Sequence, residues 1–97
     1  MRFVALFEDA VDPAAQAAAL NEAHFAYLAA RTDAIVLAGG LRPDAGAPFC
    51  GALWVIEAPD RAAALRLVED DPYTRAGLWR YRLMAWGKAP HLGAVVL

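Results

Sequence analysis

The chain has few charges, one cysteine and no long hydrophobic run. Charged residues make up only 21% of its 97 residues, whereas 60% are hydrophobic. No apolar stretch approaches the roughly 20 residues of a membrane-spanning helix, so we expect no membrane segment. The single cysteine, Cys50, excludes a disulfide within the chain and is compatible with a reducing cytoplasm. Residues 1–3 lead directly into a strand-like run, so we also expect no signal peptide.

A basic surface is lacking as well. The net charge is −2 and the isoelectric point is about 5.5. Arg75, Arg80 and Arg82 are the nearest approach to a basic patch, but apolar residues separate them and preceding acidic residues offset them. Binding to phosphates needs clustered positive charge, so we expect no nucleic-acid partner. The histidines, the cysteine and the carboxylates show no metal-ligand spacing, and we expect neither a metal nor another cofactor.

The residue pattern predicts four strands and two helices in the order βαββαβ. Strands are expected at residues 2–8, 34–38, 50–57 and 79–87, and helices at 13–31 and 61–70. Asp60 is a typical N-cap, and Asp71-Pro72 ends the second helix before a short helical turn. Gly39-Gly40 is expected to close the second strand. The order predicts one α+β domain over residues 1–97, with a ferredoxin-like four-stranded antiparallel sheet and both helices on one face.

The predicted strands are apolar on both faces. In the first strand Phe3, Ala5 and Phe7 alternate with Val4 and Leu6. Two helices cover only one face, so the other face needs a partner. A second copy of the sheet provides one, and we expect a homodimer that forms an α+β barrel. Two roles stay open for the tail at residues 88–97, which either adds as an edge strand or swaps onto the partner.

One histidine lies where an aliphatic side chain would be expected. His24 falls between Leu20 and Leu28 on the apolar face of the first helix. A buried imidazole needs a polar partner, so the position implies a second polar group nearby. Two hypotheses stay open for His24, a satisfied core histidine and a general base.

Three local motifs together resemble a known family. They are Leu20-Asn21-Glu22-Ala23-His24-Phe25-Ala26-Tyr27-Leu28, Ala38-Gly39-Gly40-Leu41, and Asp70-Asp71-Pro72-Tyr73 followed by Ala76-Gly77-Leu78. Over nearly its whole length the chain resembles the YciI-like (YCII-related) family. The resemblance implies a dimeric α+β barrel with a His–Asp pair that has been proposed as catalytic. It also implies kinship with muconolactone-isomerase-like and chloroaromatic-dehydrochlorinase-like proteins.

On this basis His24 is the expected base and Asp71 the carboxylate that orients it. Asp71 can orient the histidine tautomer and stabilise the imidazolium, or it can serve only as the cap of the turn that begins at Pro72. Direct contact depends on the start of the first helix. A start at Pro13 places His24 about 16 Å along the helix axis, too far from Asp71, whereas a start near Asn21 brings it within reach.

Four further residues are candidates for substrate binding. Tyr73 can donate a hydrogen bond to a substrate carbonyl, and the backbone N–H groups of Gly39 and Gly40 can receive an anionic oxygen. Arg42 can pair with a substrate carboxylate. Each has a structural alternative, namely packing for the tyrosine, turn formation for the glycines and an exposed loop position for the arginine.

The predicted function is that of a small cofactor-free enzyme. Its lyase-like or isomerase-like reaction would transfer protons on a small oxygenated or aromatic-derived metabolite, with the apolar mouth of the barrel as the binding cleft. The alternative is a non-catalytic module for small-ligand binding or dimerisation.

Overall fold

The computed structural model describes residues 1–9, 18–87 and 89. Its elements are β1 (Arg2–Asp9), α1 (Ala18–Ala29), β2 (Ile35–Leu41), β3 (Gly51–Glu57), α2 (Arg61–Glu69), α3 (Pro72–Arg75) and β4 (Trp79–Ala85). The strands form one antiparallel sheet in the order β2-β3-β1-β4. This arrangement confirms the ferredoxin-like α+β fold. No helix in the described ranges is long and apolar enough to cross a membrane.

Two aspartates set the boundaries of the second and third helices. The Asp60 side chain accepts a hydrogen bond from the backbone N–H of Ala63 at 2.8 Å and caps α2. Asp71 caps α3 in the same way, and Pro72 occupies the first turn of that helix. Each carboxylate satisfies a backbone donor that has no partner within the helix. Both caps confirm the prediction from sequence.

The second strand is longer than predicted. It continues through Gly39 and Gly40, which pair with Leu53 and Ala52 of β3, and it ends at Leu41. The prediction that the two glycines form a turn is therefore wrong. Glycine favours turns in isolation, but here the pairing with the apolar strand β3 outweighs that preference.

The two sheet faces differ in how well they are covered. On the helix-covered face the largest buried side chains include Phe3, Phe7 and Trp54, packed with residues of α1 and α2. On the other face Val4 and Leu6 are only half-buried. The sheet is thus apolar on both faces, as predicted. The homodimer stays a prediction.

The ends of the first helix only partly match the prediction. Within the described residues α1 begins at Ala18 and ends at Ala29, two residues before the expected end, and residues 30–34 form a turn. The proposed start at Pro13 lies outside the described residues. Apart from residue 89, the tail from 88 to 97 lies outside them too.

Candidate active site

Asp71 has a fully buried carboxylate that is hydrogen-bonded to His24 and Thr74. It is 0% exposed. Its Oδ1 lies 2.5 Å from Nδ1 of His24. Its Oδ2 accepts from the backbone N–H of Thr74 at 3.0 Å and from the Thr74 hydroxyl at 3.3 Å. The capping role and the histidine contact therefore coexist, because each uses a different carboxylate oxygen.

His24 is buried and held by aromatic rings. The residue is 5% exposed. The Tyr73 ring stacks on the imidazole at a centroid distance of 3.9 Å and an interplanar angle of 11°. The Trp79 ring meets it edge-on at 5.4 Å and 82°. These contacts and the bond to Asp71 hold the imidazole plane in one orientation.

The contact with Asp71 assigns different roles to the two ring nitrogens of His24. A carboxylate only accepts hydrogen bonds, so the proton of a neutral His24 is assigned to Nδ1 and the lone pair to Nε2. Among the described residues Nε2 has no hydrogen-bond partner. The His24 side chain keeps 7% of its surface exposed, and His24 is one of the residues that line a cavity.

A cavity of about 440 Å³ adjoins the imidazole. It lies on the helix-covered face of the sheet, between that face and α1. Ala38, Gly40 and Ala52 leave this space open because their side chains are small. They lie on adjacent strands, where Ala38 pairs with Trp54 and Gly40 pairs with Ala52. The lining is mostly apolar and aromatic, and it consists of His24, Phe25, Leu28, Ala38, Gly39, Gly40, Phe49, Gly51, Ala52, Trp54, Tyr73 and Trp79.

Three of the predicted binding residues line this cavity. Gly39 and Gly40 contribute to its wall, and Tyr73 contributes its ring. The Tyr73 hydroxyl donates to Oδ1 of Asn21 at 2.5 Å, so donation to a substrate would require that bond to be given up. Arg42 lies outside the lining, with its guanidinium 5.0 Å from the centre of the Phe49 ring.

Four further residues belong to the site, and three of them, Phe25, Phe49 and Thr74, were not predicted as site residues. Phe25 and Phe49, which are 63% and 54% exposed, stand at the cavity mouth. Thr74 holds the second oxygen of Asp71. Trp79 donates its indole N–H to the Thr74 hydroxyl at 2.7 Å. The large aromatic residues resemble core residues in a sequence, and a lone threonine in a helical turn carries no signal of its own.

The first helix places His24 beside Asp71. Within the described residues α1 starts at Ala18, which is six residues before His24 and three before Asn21. The contact forms because α3, with Asp71 at its cap, packs against α1. The alternative start at Pro13 lies outside the described residues, so the dependence of the contact on a late helix start stays a prediction.

Comparison with known proteins supports the resemblance drawn from the three motifs. Residues 1–87 match the YCII-related domain. The chain belongs to the YCII-related domain family. No curated protein matches the chain.

A solved structure has a similar fold. It is 5-chloro-2-hydroxyhydroquinone dehydrochlorinase (TftG) from Burkholderia phenoliruptrix AC1100, in complex with 2,5-dihydroxybenzoquinone. The TM-score is 0.72 and the sequence identity is 25%, over 94% of this chain and 98% of that chain. The fold of this chain is therefore similar, over almost its whole length, to the fold of a dehydrochlorinase.

Proposed function

We propose that this YCII-related protein is a cofactor-free enzyme that transfers protons on a small hydroxylated ring, with His24 as the base. The observation that carries the proposal is the buried bond of 2.5 Å between Nδ1 of His24 and Oδ1 of Asp71, beside a cavity that His24 itself lines. A histidine that merely filled the core would not be expected to line a cavity while its other nitrogen is held by a buried carboxylate.

The geometry supports a division of roles within the pair. Asp71 holds the proton on Nδ1, so the lone pair of Nε2 can accept a proton from a bound hydroxyl group. The resulting imidazolium is stabilised by the Asp71 carboxylate, as in other catalytic His–Asp pairs. The face of the Tyr73 ring, 3.9 Å away, adds a favourable contact with the cation. General base catalysis of this kind contributes about 10²–10⁴-fold in rate.

The cavity supports a single substituted ring as ligand. Its volume of about 440 Å³ exceeds the roughly 150 Å³ that suffices for benzene in an engineered cavity. Aromatic side chains provide faces and edges for ring contacts. Among the described lining residues, the titratable side chains are those of His24 and Tyr73. The proposed base, His24, therefore acts in a largely apolar cleft. The ligand in the TftG structure, 2,5-dihydroxybenzoquinone, belongs to the class of ligand that we propose.

Such a base can remove HCl from a chlorinated hydroquinone without a redox cofactor. His24 would take a proton from one ring hydroxyl and return it to the carbon that bears chlorine, which produces a keto tautomer. Removal of a second hydroxyl proton then forms a carbonyl, and chloride leaves with the bonding electron pair. The ring becomes a quinone by loss of HCl alone, so no external oxidant is required.

The test is chloride release from 5-chloro-2-hydroxyhydroquinone by the wild type and by His24→Gln. The substitution keeps a polar side chain and removes the base, so we expect turnover to fall about 10²–10⁴-fold. Binding of 2,5-dihydroxybenzoquinone, measured by calorimetry, should be much less affected. Glu22→Gln, at an exposed position on the same helix, is the matched control and should behave as the wild type.

Each alternative outcome has a definite meaning. Undiminished turnover in His24→Gln would overturn the role of the histidine. Binding of the quinone without turnover of any hydroxylated ring would favour the non-catalytic ligand-binding module. If neither binding nor turnover is detected, a dimerisation module is favoured.

The proposal includes a homodimer formed through the uncovered sheet face. On that face Leu37 and Met84 are 52% and 43% exposed, beside the half-buried Val4 and Leu6. Apolar area of this kind is commonly buried in permanent dimers. Sedimentation velocity should give twice the chain mass, and a stable monomer at micromolar concentration would contradict this part of the proposal.

A further inference from the structure

A chain of hydrogen bonds continues from the His–Asp pair to the first residue of β4. Asp71 Oδ2 accepts from the Thr74 hydroxyl at 3.3 Å, and the Thr74 oxygen accepts from Nε1 of Trp79 at 2.7 Å. The chain thus links α1, α3 and β4 through side chains. Thr74 is half-buried, while Asp71, His24 and Trp79 are buried.

The chemistry of the indole group gives these bonds a single direction. An indole N–H can only donate, so the Thr74 oxygen must be the acceptor in its bond with Trp79. The one hydroxyl proton of Thr74 is then available for Asp71 Oδ2, which can only accept. On the other oxygen His24 Nδ1 donates as well. Donors therefore converge on the carboxylate from both sides.

Capping alone does not account for the threonine hydroxyl. The cap uses the backbone N–H at position 74, which any residue except proline supplies. The hydroxyl adds a second bond to the same oxygen, and the indole adds a bond that orients the hydroxyl. The extra bonds hold the Asp71 carboxylate in the rotamer that directs Oδ1 to the imidazole.

We propose that Thr74 is a positioning residue for the His24–Asp71 pair, and that Trp79 acts through Thr74 by orienting its hydroxyl. The expected loss of activity rests on the proposed function, whereas the expected effect on the orientation of Asp71 and on the His24 tautomer does not. Outer partners that orient a metal-bound imidazole typically contribute about 10- to 100-fold in activity, and we expect a contribution of similar size for this imidazole. Without the hydroxyl, only the backbone N–H of Thr74 still holds Oδ2, so the carboxylate is less firmly oriented and the proton of His24 is less strictly confined to Nδ1.

Thr74→Val tests the proposal, with Thr74→Ser as the matched control. The valine substitution keeps the backbone cap and the branched shape but removes the hydroxyl, whereas the serine substitution keeps the hydroxyl. We expect Thr74→Val to lower kcat by about 10- to 100-fold with little change in KM. Long-range ¹H–¹⁵N spectra of His24 should change from one tautomer to a mixture. Thr74→Ser should retain both the activity and the single tautomer.

Trp79→Phe provides a second variant if Thr74→Val does not fold. It keeps an aromatic ring in the cavity wall and removes only the indole donor, so the threonine hydroxyl becomes free to turn. We expect a smaller loss of kcat than in Thr74→Val and a detectable second tautomer of His24. The serine control should again match the wild type.

The outcomes separate this inference from the proposed function. A single Nδ1–H tautomer in both Thr74→Val and Trp79→Phe would overturn the positioning role, whether or not the wild type is active. An active His24→Gln variant would overturn the proposed function and leave the tautomer result standing. Equal loss of activity in Thr74→Ser and Thr74→Val would also contradict the positioning role of the Thr74 hydroxyl.

Discussion

Asp71→Asn is the substitution that most directly separates catalysis from stability in this protein. The asparagine amide can keep all three contacts of the carboxylate. Its oxygen can accept from the backbone N–H and the hydroxyl of Thr74, as Oδ2 does now. Its NH₂ group then faces Nδ1 of His24, where two donors cannot meet. The imidazole must therefore accept at Nδ1 and carry its proton on Nε2.

The two effects have different expected sizes. Hydrogen bonds to a charged group contribute about 1.5–3 kcal/mol each and neutral ones about 0.5–1.5 kcal/mol. Because the contacts persist and the burial cost of the charge disappears, we expect the free energy of unfolding to fall by only about 1–2 kcal/mol. The corresponding substitution in a serine protease triad lowers kcat about 10⁴-fold through the wrong tautomer. We expect a loss of turnover between about 10² and 10⁴ here.

The assay combines urea unfolding, chloride release and the ¹⁵N spectrum of His24. Asp70→Asn is the matched control, because Asp70 is the adjacent acidic residue and forms an exposed pair with Arg75 at 3.3 Å. Exposed pairs contribute about 0–1 kcal/mol, so the control should stay close to the wild type in all three measurements. Wild-type turnover and an unchanged His24 tautomer in Asp71→Asn would refute the role given to Asp71.

Three further predictions concern the strands and helices around the site. Gly51→Ala should destabilise the fold by on the order of 3 kcal/mol, because its Cβ would collide with the carbonyl oxygen of Phe7. In Gly40→Ala the new Cβ would lie 2.7 Å from a ring carbon of Phe49 and would displace that ring from the cavity. Phe49 is a surface residue, so we expect little loss of stability but weaker quinone binding. Burial raises the pKa of Tyr27, whose neutral hydroxyl donates to a backbone carbonyl of α2. The contribution of this hydrogen bond to the free energy of unfolding is therefore complete below about pH 10 and is lost as the pH rises through the raised pKa. Tyr27→Phe should lower the free energy of unfolding by about 1 kcal/mol at neutral pH.

Urea unfolding and calorimetry decide these three cases. Wild-type stability in Gly51→Ala would show that the strands can separate at no cost. Unaltered quinone affinity in Gly40→Ala would mean that the Phe49 ring does not shape the ligand site. If Tyr27→Phe is as stable as the wild type at pH 7, the hydroxyl bond contributes nothing to folding.

Most element boundaries could be predicted because their causes are local. Asp60 and Asp71-Pro72 predict helix starts by residue type alone. The residues of β1 predict a strand that is apolar on both faces. Gly39 and Gly40 were misassigned because the competing influence is a neighbouring strand. Their place in the ladder depends on Leu53 and Ala52, which lie 14 and 12 positions further along the chain.

The candidate site was predictable only in part. His24 stood out because a polar ring interrupts an apolar helical face, and the family resemblance supplied Asp71 as its partner. The Tyr73 hydroxyl was a candidate donor to a substrate, with packing as the alternative, and in the structure it donates to Asn21. Thr74 gave no signal, since a hydroxyl acquires a role only from the atoms that it meets.

Periodicity and capping among near neighbours specify which elements form, which faces are apolar and which histidine is anomalous. The nitrogen of His24 that is engaged and the position of the cavity follow only from the packed fold. Those features depend on contacts between residues far apart in the chain, such as the 47 positions that separate His24 from Asp71. At such separations only the packing of α3 against α1 brings the atoms within hydrogen-bond distance.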